Sequence, residues 1–226
     1  MQQYFDLPLI EQAILTLAAM ILATSLALLA QSRVVATIRL FAWQGVFLAV
    51  ITALVAIDTG EPHLLISALL TLSLKAAFIP WLLVRQARSL NLLKESDAAI
   101  RPGLILLMAG ALVVFCYNIV QPIEVLAASV TRNAVALSLA VVMLSMLMLI
   151  TRRKAVTQVV AFMALENGLF FAAVTTTQGM PLVVELGIAF DVMVAAVIFG
   201  VFFFHIRDSI GSLDIEQLVR LSEHSE

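Results

Sequence analysis

Charge is what this sequence has least of. Only 12% of its 226 residues are Asp, Glu, Lys or Arg, while 62% are hydrophobic; soluble domains carry roughly 25% charged and 45–50% apolar residues. The mean hydropathy is +1.08. A folded domain of roughly this size still exposes about a quarter to a third of its unfolded-chain surface, so the apolar excess must face lipid. The formal net charge of -2 is too small to suggest a nucleic-acid or acidic partner. Cysteine is nearly missing as well. The single Cys116 makes no intrachain disulfide and no thiolate cluster, which argues against iron–sulfur or zinc chemistry within the chain. Histidines 63 and 205 fall at span ends and His224 in the tail, so no histidine metal set is expected. A phosphate loop and a nucleophile triad are also missing. Residues 1–7 lack a basic stretch and carry Asp6, with Glu11 following, so the first apolar run is expected to remain as a helix.

What the sequence does hold is apolar runs. A membrane-spanning helix needs roughly 20 of them in a row, and about seven such runs occur, near 10–30, 35–57, 64–84, 103–120, 134–151, 156–177 and 183–205. The expected fold is therefore all-α: a polytopic membrane protein of about seven transmembrane helices. Residues 121–133, after Gln121-Pro122, are the ambiguous stretch and fit an interfacial helix. Basic residues gather in alternate connections: Arg33 and Arg39, then Arg85, Arg88, Lys94 and Arg101, then Arg152, Arg153 and Lys154. Because positive loops mark the cytoplasmic side, the amino terminus is expected outside and the tail inside. A weak repeat sets RLFAWQGVFLAVITAL against MALENGLFFAAVTTT, with Gln44-Gly45 opposite Asn167-Gly168 and Pro80 near Gly200. The copies stand four spans apart, so they form a parallel three-helix repeat of the kind found in transporters.

The residues a bilayer should not contain are the informative ones. Lys75, Glu166 and Asp191 each fall well inside a span, and at 1.5 Å per residue they reach one depth to within roughly 5–8 Å. Each costs roughly 2.5–3.5 kcal/mol there, unless the three face one another, line water or spend time neutral. Burial favours the neutral acid and a nearby lysine favours the carboxylate, a balance that lets an acid take up and release a proton. Asn167 beside Glu166, and Gln44 in the other half, are placed to hold water or bridge the acids. Glu185 falls within a turn of the outer end of the last span. Three readings stay open on these residues alone: ion conduction, a buried ion pair that locks helix packing, and a small-solute site.

Toward the end of the chain the strings MALENGLFF, PLVVELGIAFDVMVAAVIFG and IGSLDIEQLVRL resemble the hydrogenase-4 component E family, whose hallmarks take the form LMENG, VEIGIATD and GTLDVNNL. Earlier, SLKAAFIP resembles that family's intramembrane lysine segment and IVQP its fourth-span ending. The last three spans are also similar to the K subunit of respiratory complex I and the C subunit of multisubunit cation/proton antiporters. There, two successive helices each carry a glutamate on the proton path. Glu166 matches the first, and the second falls on Asp191, an acid shorter by a methylene. Lys75 and Glu185 have no counterpart in the K subunit, so their roles rest on the component E resemblance.

The resemblance implies a membrane subunit of a group 4 hydrogenase-like assembly, of which formate hydrogenlyase-type complexes are examples. Such a subunit passes protons between the redox arm and antiporter-like membrane subunits. It would hold no cofactor itself; the nickel–iron site and iron–sulfur clusters are expected in partner chains. Residues 1–102 would form the first half with its basic loop, 103–132 the fourth span and outer connection, 133–208 the K-subunit-like unit, and 209–226 a cytoplasmic tail. The expected location is the bacterial inner membrane, with Glu166 as principal proton relay, Asp191 its partner, Lys75 tuning both, and Glu185 an outer relay or interface residue. A structural anchor and a stand-alone transporter using broken helices at Pro80 and Gly200 are the alternatives.

Overall fold

The computed structural model describes residues 8–89, 102–122, 129–177, 187, 189–198 and 200. Among these, regular structure is helical apart from one isolated bridge residue. We number the helices α1 (Leu9–Ala30), α2 (Val34–Thr59), α3 (Pro62–Thr71 continuing through Leu72–Phe78 into Ile79–Ser89), α4 (Pro102–Val120), α5 (Ser129–Thr151), α6 (Ala155–Thr176) and α7 (Ala189–Ile198). The first six are long and apolar enough to cross a membrane. The seventh expected span is represented by α7 alone; the rest of 183–205 except Gly187 and Gly200, and all of 209–226, lie outside the described residues.

Local chemistry explains where the rods start and stop. Pro8 precedes α1, and Glu11 falls in its first turn, where the helix dipole favours an acid. The tight connection between α1 and α2 is held by the side-chain oxygen of Gln31, which accepts from the backbone N–H of Ser32 at 3.1 Å and of Arg33 at 3.3 Å. At the far end of α2, Gly60 takes φ 74° and donates its N–H to the Ala56 carbonyl, a left-handed stop that glycine adopts without strain. Pro62 then opens α3, at the one helical turn where a missing N–H costs nothing. Within the spans, hydroxyls bond back onto their own helices, as Ser25 does to the Ile21 carbonyl and Thr52 to that of Leu48. Lipid offers such groups no other partner.

Proline does not break α3 as the stand-alone transporter alternative requires. Pro80 has no N–H for the carbonyl four residues back, and its ring crowds that carbonyl. The rod absorbs the defect by widening rather than breaking: Leu72–Phe78 is a π-helical turn, closed by the Ile79 N–H donating to Leu74, five residues back. The helix continues past Pro80 to Ser89. Of the ambiguous stretch 121–133, Gln121 and Pro122 form a turn and α5 already starts at Ser129; 123–128 lie outside the described residues.

Helix packs on helix: α1 lies against α2 and α5, α2 against α3 and α6, and α5 against α4 and α6. Buried apolar side chains form two clusters. One, toward the end carrying Gly60, holds Ile14, Ile21, Leu48, Ile51, Phe170 and Phe171. The other, toward the end carrying the basic connections, holds Leu28, Val34, Phe41, Leu83, Leu144 and Val160. On α1, α2, α3 and α6 a polar layer falls between these clusters: Ser25 follows Ile21 and precedes Leu28, and Gln44 follows Phe41 and precedes Leu48.

Candidate functional site

Lys75, Glu166 and Asp191 meet in that layer. Lys75 occupies the π-helical turn of α3 and is 1% exposed, with Asp191 at 2% and Glu166 at 9%. The ammonium of Lys75 donates to Oε2 of Glu166 and stands 3.4 Å from Oδ1 of Asp191. The Phe170 ring, one turn beyond Glu166 on α6, lies with its centroid 5.3 Å from the same nitrogen, close enough for a cation–π attraction. Oδ1 of Asp191 has no well-aligned hydrogen-bond donor among the described residues, and the ammonium reaches it as an ion pair. One lysine thus stands between two carboxylates from two successive helices of the opposite half.

The widened turn positions the lysine, and Gly45 lets it come close. A Cβ on Gly45 would meet Cβ of Lys75 at 3.0 Å and the lysine's backbone carbonyl carbon at 3.1 Å, so only glycine lets α2 and α3 approach this far. On α6, Gly168 plays the same part toward α5: a Cβ there would stand 2.9 Å from Val142 Cγ2. Gly45 and Gly168 therefore open space for different neighbours.

The expected supporting amides do something other than bridge the acids. Asn167 donates to Oε1 of Gln44 at 3.1 Å, Gln44 donates to Oγ of Ser25 at 2.8 Å, and Ser25 donates to the Ile21 carbonyl. Gln44 and Asn167 thus touch each other between α2 and α6. Their chain ends on backbone, and Oδ1 of Asn167 is buried without a partner among the described residues. Glu185 lies outside the described residues. No cluster of three His, Cys, Asp or Glu side chains that could hold a metal ion occurs among the described residues.

Three contributors escaped sequence reasoning. Phe170 had a signal, since it follows Glu166 by four and shares its helix face. Ser25 had none, because a mid-span serine ordinarily bonds its own helix. Arg152 was legible only as a topology marker. Its guanidinium is buried and donates to the carbonyls of Leu28 at 3.0 Å, Leu29 at 2.9 Å and Gln31. It caps the carboxyl end of α1, where a cation also complements the helix dipole.

The chain is similar over most of its length to bacterial proteins. An uncharacterized protein of Mycobacterium tuberculosis is 34% identical over 189 residues, covering 83% of this chain and 86% of that protein. Hydrogenase-4 component E of Escherichia coli and that of Shigella flexneri are each 25% identical over 205 residues, covering 91% of this chain and 95% of theirs. No family model matches the chain, and no solved structure does.

Proposed function

The chain belongs to the hydrogenase-4 component E family, and from that premise we propose that it is a membrane subunit of a hydrogenase-type, complex I-related assembly whose intramembrane carboxylates pass protons as electrons are transferred. The observation that carries the reading is the buried cluster of one lysine and two carboxylates. With all three ionised it has one negative charge too many for a site away from water, and one proton cancels it. An acid that holds a proton for that reason gives it up when the lysine leans toward it and regains it when the lysine leans away. Glu166 is the principal relay, Asp191 its partner one helix along, and Lys75 the charge that decides between them. Glu185 serves as the outer relay or an interface residue.

Redox chemistry belongs to partner chains, which hold the nickel–iron site and the clusters. Antiporter-like membrane subunits receive or deliver the protons. The assembly is set in the bacterial inner membrane with the basic connections cytoplasmic, and the formate hydrogenlyase type is one form it takes. The continuity of α3 through Pro80 speaks against the stand-alone transporter, which needs paired broken helices. The structural anchor keeps one observation on its side, the close seat of Lys75 against Gly45. Purification of the assembled complex, with its partner chains identified and proton uptake measured per electron, separates these readings. A relay loses translocation when Glu166→Gln or Asp191→Asn is introduced, and an anchor does not.

A further inference from the structure

A cleft of about 360 Å³ opens between α6 and the start of α7, lined by Phe162, Leu165, Leu169, Phe170 and Phe190, with Glu166 the one charged group among the described residues of its lining. Phe162 is 40% and Leu169 54% exposed, so the mouth faces the surface that meets lipid. The rings of Phe162 and Phe190, 5.4 Å apart between centroids, form an aromatic wall. Gly187 supplies bare backbone against α6: a Cβ there would stand 2.8 Å from Cδ2 of Phe170 and 3.6 Å from Oε1 of Glu166. The two oxygens of Glu166 therefore have different surroundings. Oε2 is taken by Lys75, and Oε1 lies on the Gly187 side, at the cleft.

Charge decides what fits. Among the described residues no ion pair other than those with Lys75 reaches either acid, so within them the one lysine leaves one of the two carboxylate charges uncompensated. A lipid tail in the cleft would leave Oε1 against hydrocarbon. A neutral carbonyl compound would find a donor there only while Glu166 itself carries the proton, and it brings no charge to balance the cluster. A single positive charge carried on an apolar body satisfies both walls, and the volume is in the range of roughly 300–1,000 Å³ typical of small-molecule sites.

We propose that this cleft binds a lipophilic monocation, an ammonium or amidinium on an alkyl or aryl body, which enters from the bilayer and sets its head on Oε1 of Glu166. It occupies the place of the one proton that the cluster would otherwise take. Binding is read without any proton movement, so the site stands or falls separately from the relay.

The test uses the full chain in phosphatidylcholine nanodiscs and photoreactive diazirine analogues of decylamine and of decanol, with labelled peptides mapped by mass spectrometry. The amine should label α6 around Phe162 and Leu169 saturably, be displaced by unlabelled decylamine, and exceed the alcohol by roughly tenfold or more, as expected for one ion pair's worth of affinity. Glu166→Gln should reduce labelling by a similar factor. Leu169→Trp, which narrows the cleft from its exposed rim and leaves the three ionisable groups intact, should reduce it as well, in protein that still elutes as a single folded species. Equal labelling by the alcohol would identify a lipid-tail crevice and overturn the proposal, as would wild-type amine labelling in both variants. Labelling of the isolated chain that vanishes in the assembled complex would assign the cleft to a partner's helix and overturn it too.

Discussion

Neutralising Asp191 should leave the fold nearly as stable as it is, whereas removing Lys75 should weaken it severely. The geometry gives the sizes. At 3.4 Å and an effective dielectric of about 20, the attraction between Lys75 and Asp191 is about 5 kcal/mol. Asp191→Asn forfeits that attraction. It also removes a buried charge that costs roughly 2.5–3.5 kcal/mol at mid-bilayer. Two carboxylates gathered on one ammonium lie within about 6 Å of each other, so a repulsion of about 3 kcal/mol disappears with it. The terms cancel to within about 1–2 kcal/mol, and a neutral Lys75–Glu166 pair remains. Lys75→Met instead leaves two acids facing each other without a cation, a loss of roughly 3–5 kcal/mol, reduced to the extent that the acids take up protons. The double variant Glu166→Gln with Asp191→Asn strands the lysine and should fall near Lys75→Met. Thermal unfolding of the purified chain in detergent, followed by tryptophan fluorescence and by recovery of monodisperse protein, gives the ordering. If Asp191→Asn proves as damaging as Lys75→Met, the cluster does not carry a surplus negative charge, and the reason for expecting a bound proton is gone.

Other sites give independent checks. Arg152→Ala should cost roughly 1.5–3 kcal/mol, the worth of hydrogen bonds to a charged group, and free the carboxyl end of α1; faster hydrogen exchange at the α1–α2 connection would report it, with Arg152→Lys recovering part of the loss. Gly45→Ala should destabilise by about 1–3 kcal/mol through overpacking, because its Cβ meets the backbone of Lys75 at 3.1 Å, a neighbour that cannot turn aside; unchanged melting would contradict the close seat. A double-mutant cycle of Gln44→Leu and Asn167→Leu should show a coupling of about 0.5–2 kcal/mol, and additivity would mean that the two halves do not share that hydrogen bond.

How much of this was legible depended on what lipid enforces. Bilayer thickness demands long apolar rods, so the first six spans could be read to within a few residues, although α5 begins at Ser129 and not near 134. Depth was equally legible, because a fixed rise per residue turns sequence distance into height. That arithmetic put Lys75, Glu166 and Asp191 at one level, and in the folded chain they meet. Rotation about each helix axis was not legible. The extra residue in the turn 72–78 changes the direction in which Lys75 projects, and no apolar periodicity records it. The same blindness made Gln44 a neighbour of the acids in the reading, whereas its amide faces Ser25 and Asn167. Arg152 needed something else again: two connections about 120 residues apart had to meet before a basic loop residue became a helix cap.

The central claim is that the carboxylates of this buried cluster move protons. Its most direct test is the number of protons translocated per electron by the assembled complex in proteoliposomes, compared among wild type, Glu166→Gln and Asp191→Asn at matched electron-transfer rates. The account predicts that both variants assemble, transfer electrons and translocate far fewer protons. Wild-type proton stoichiometry in both would contradict it and leave the cluster as a structural ion pair.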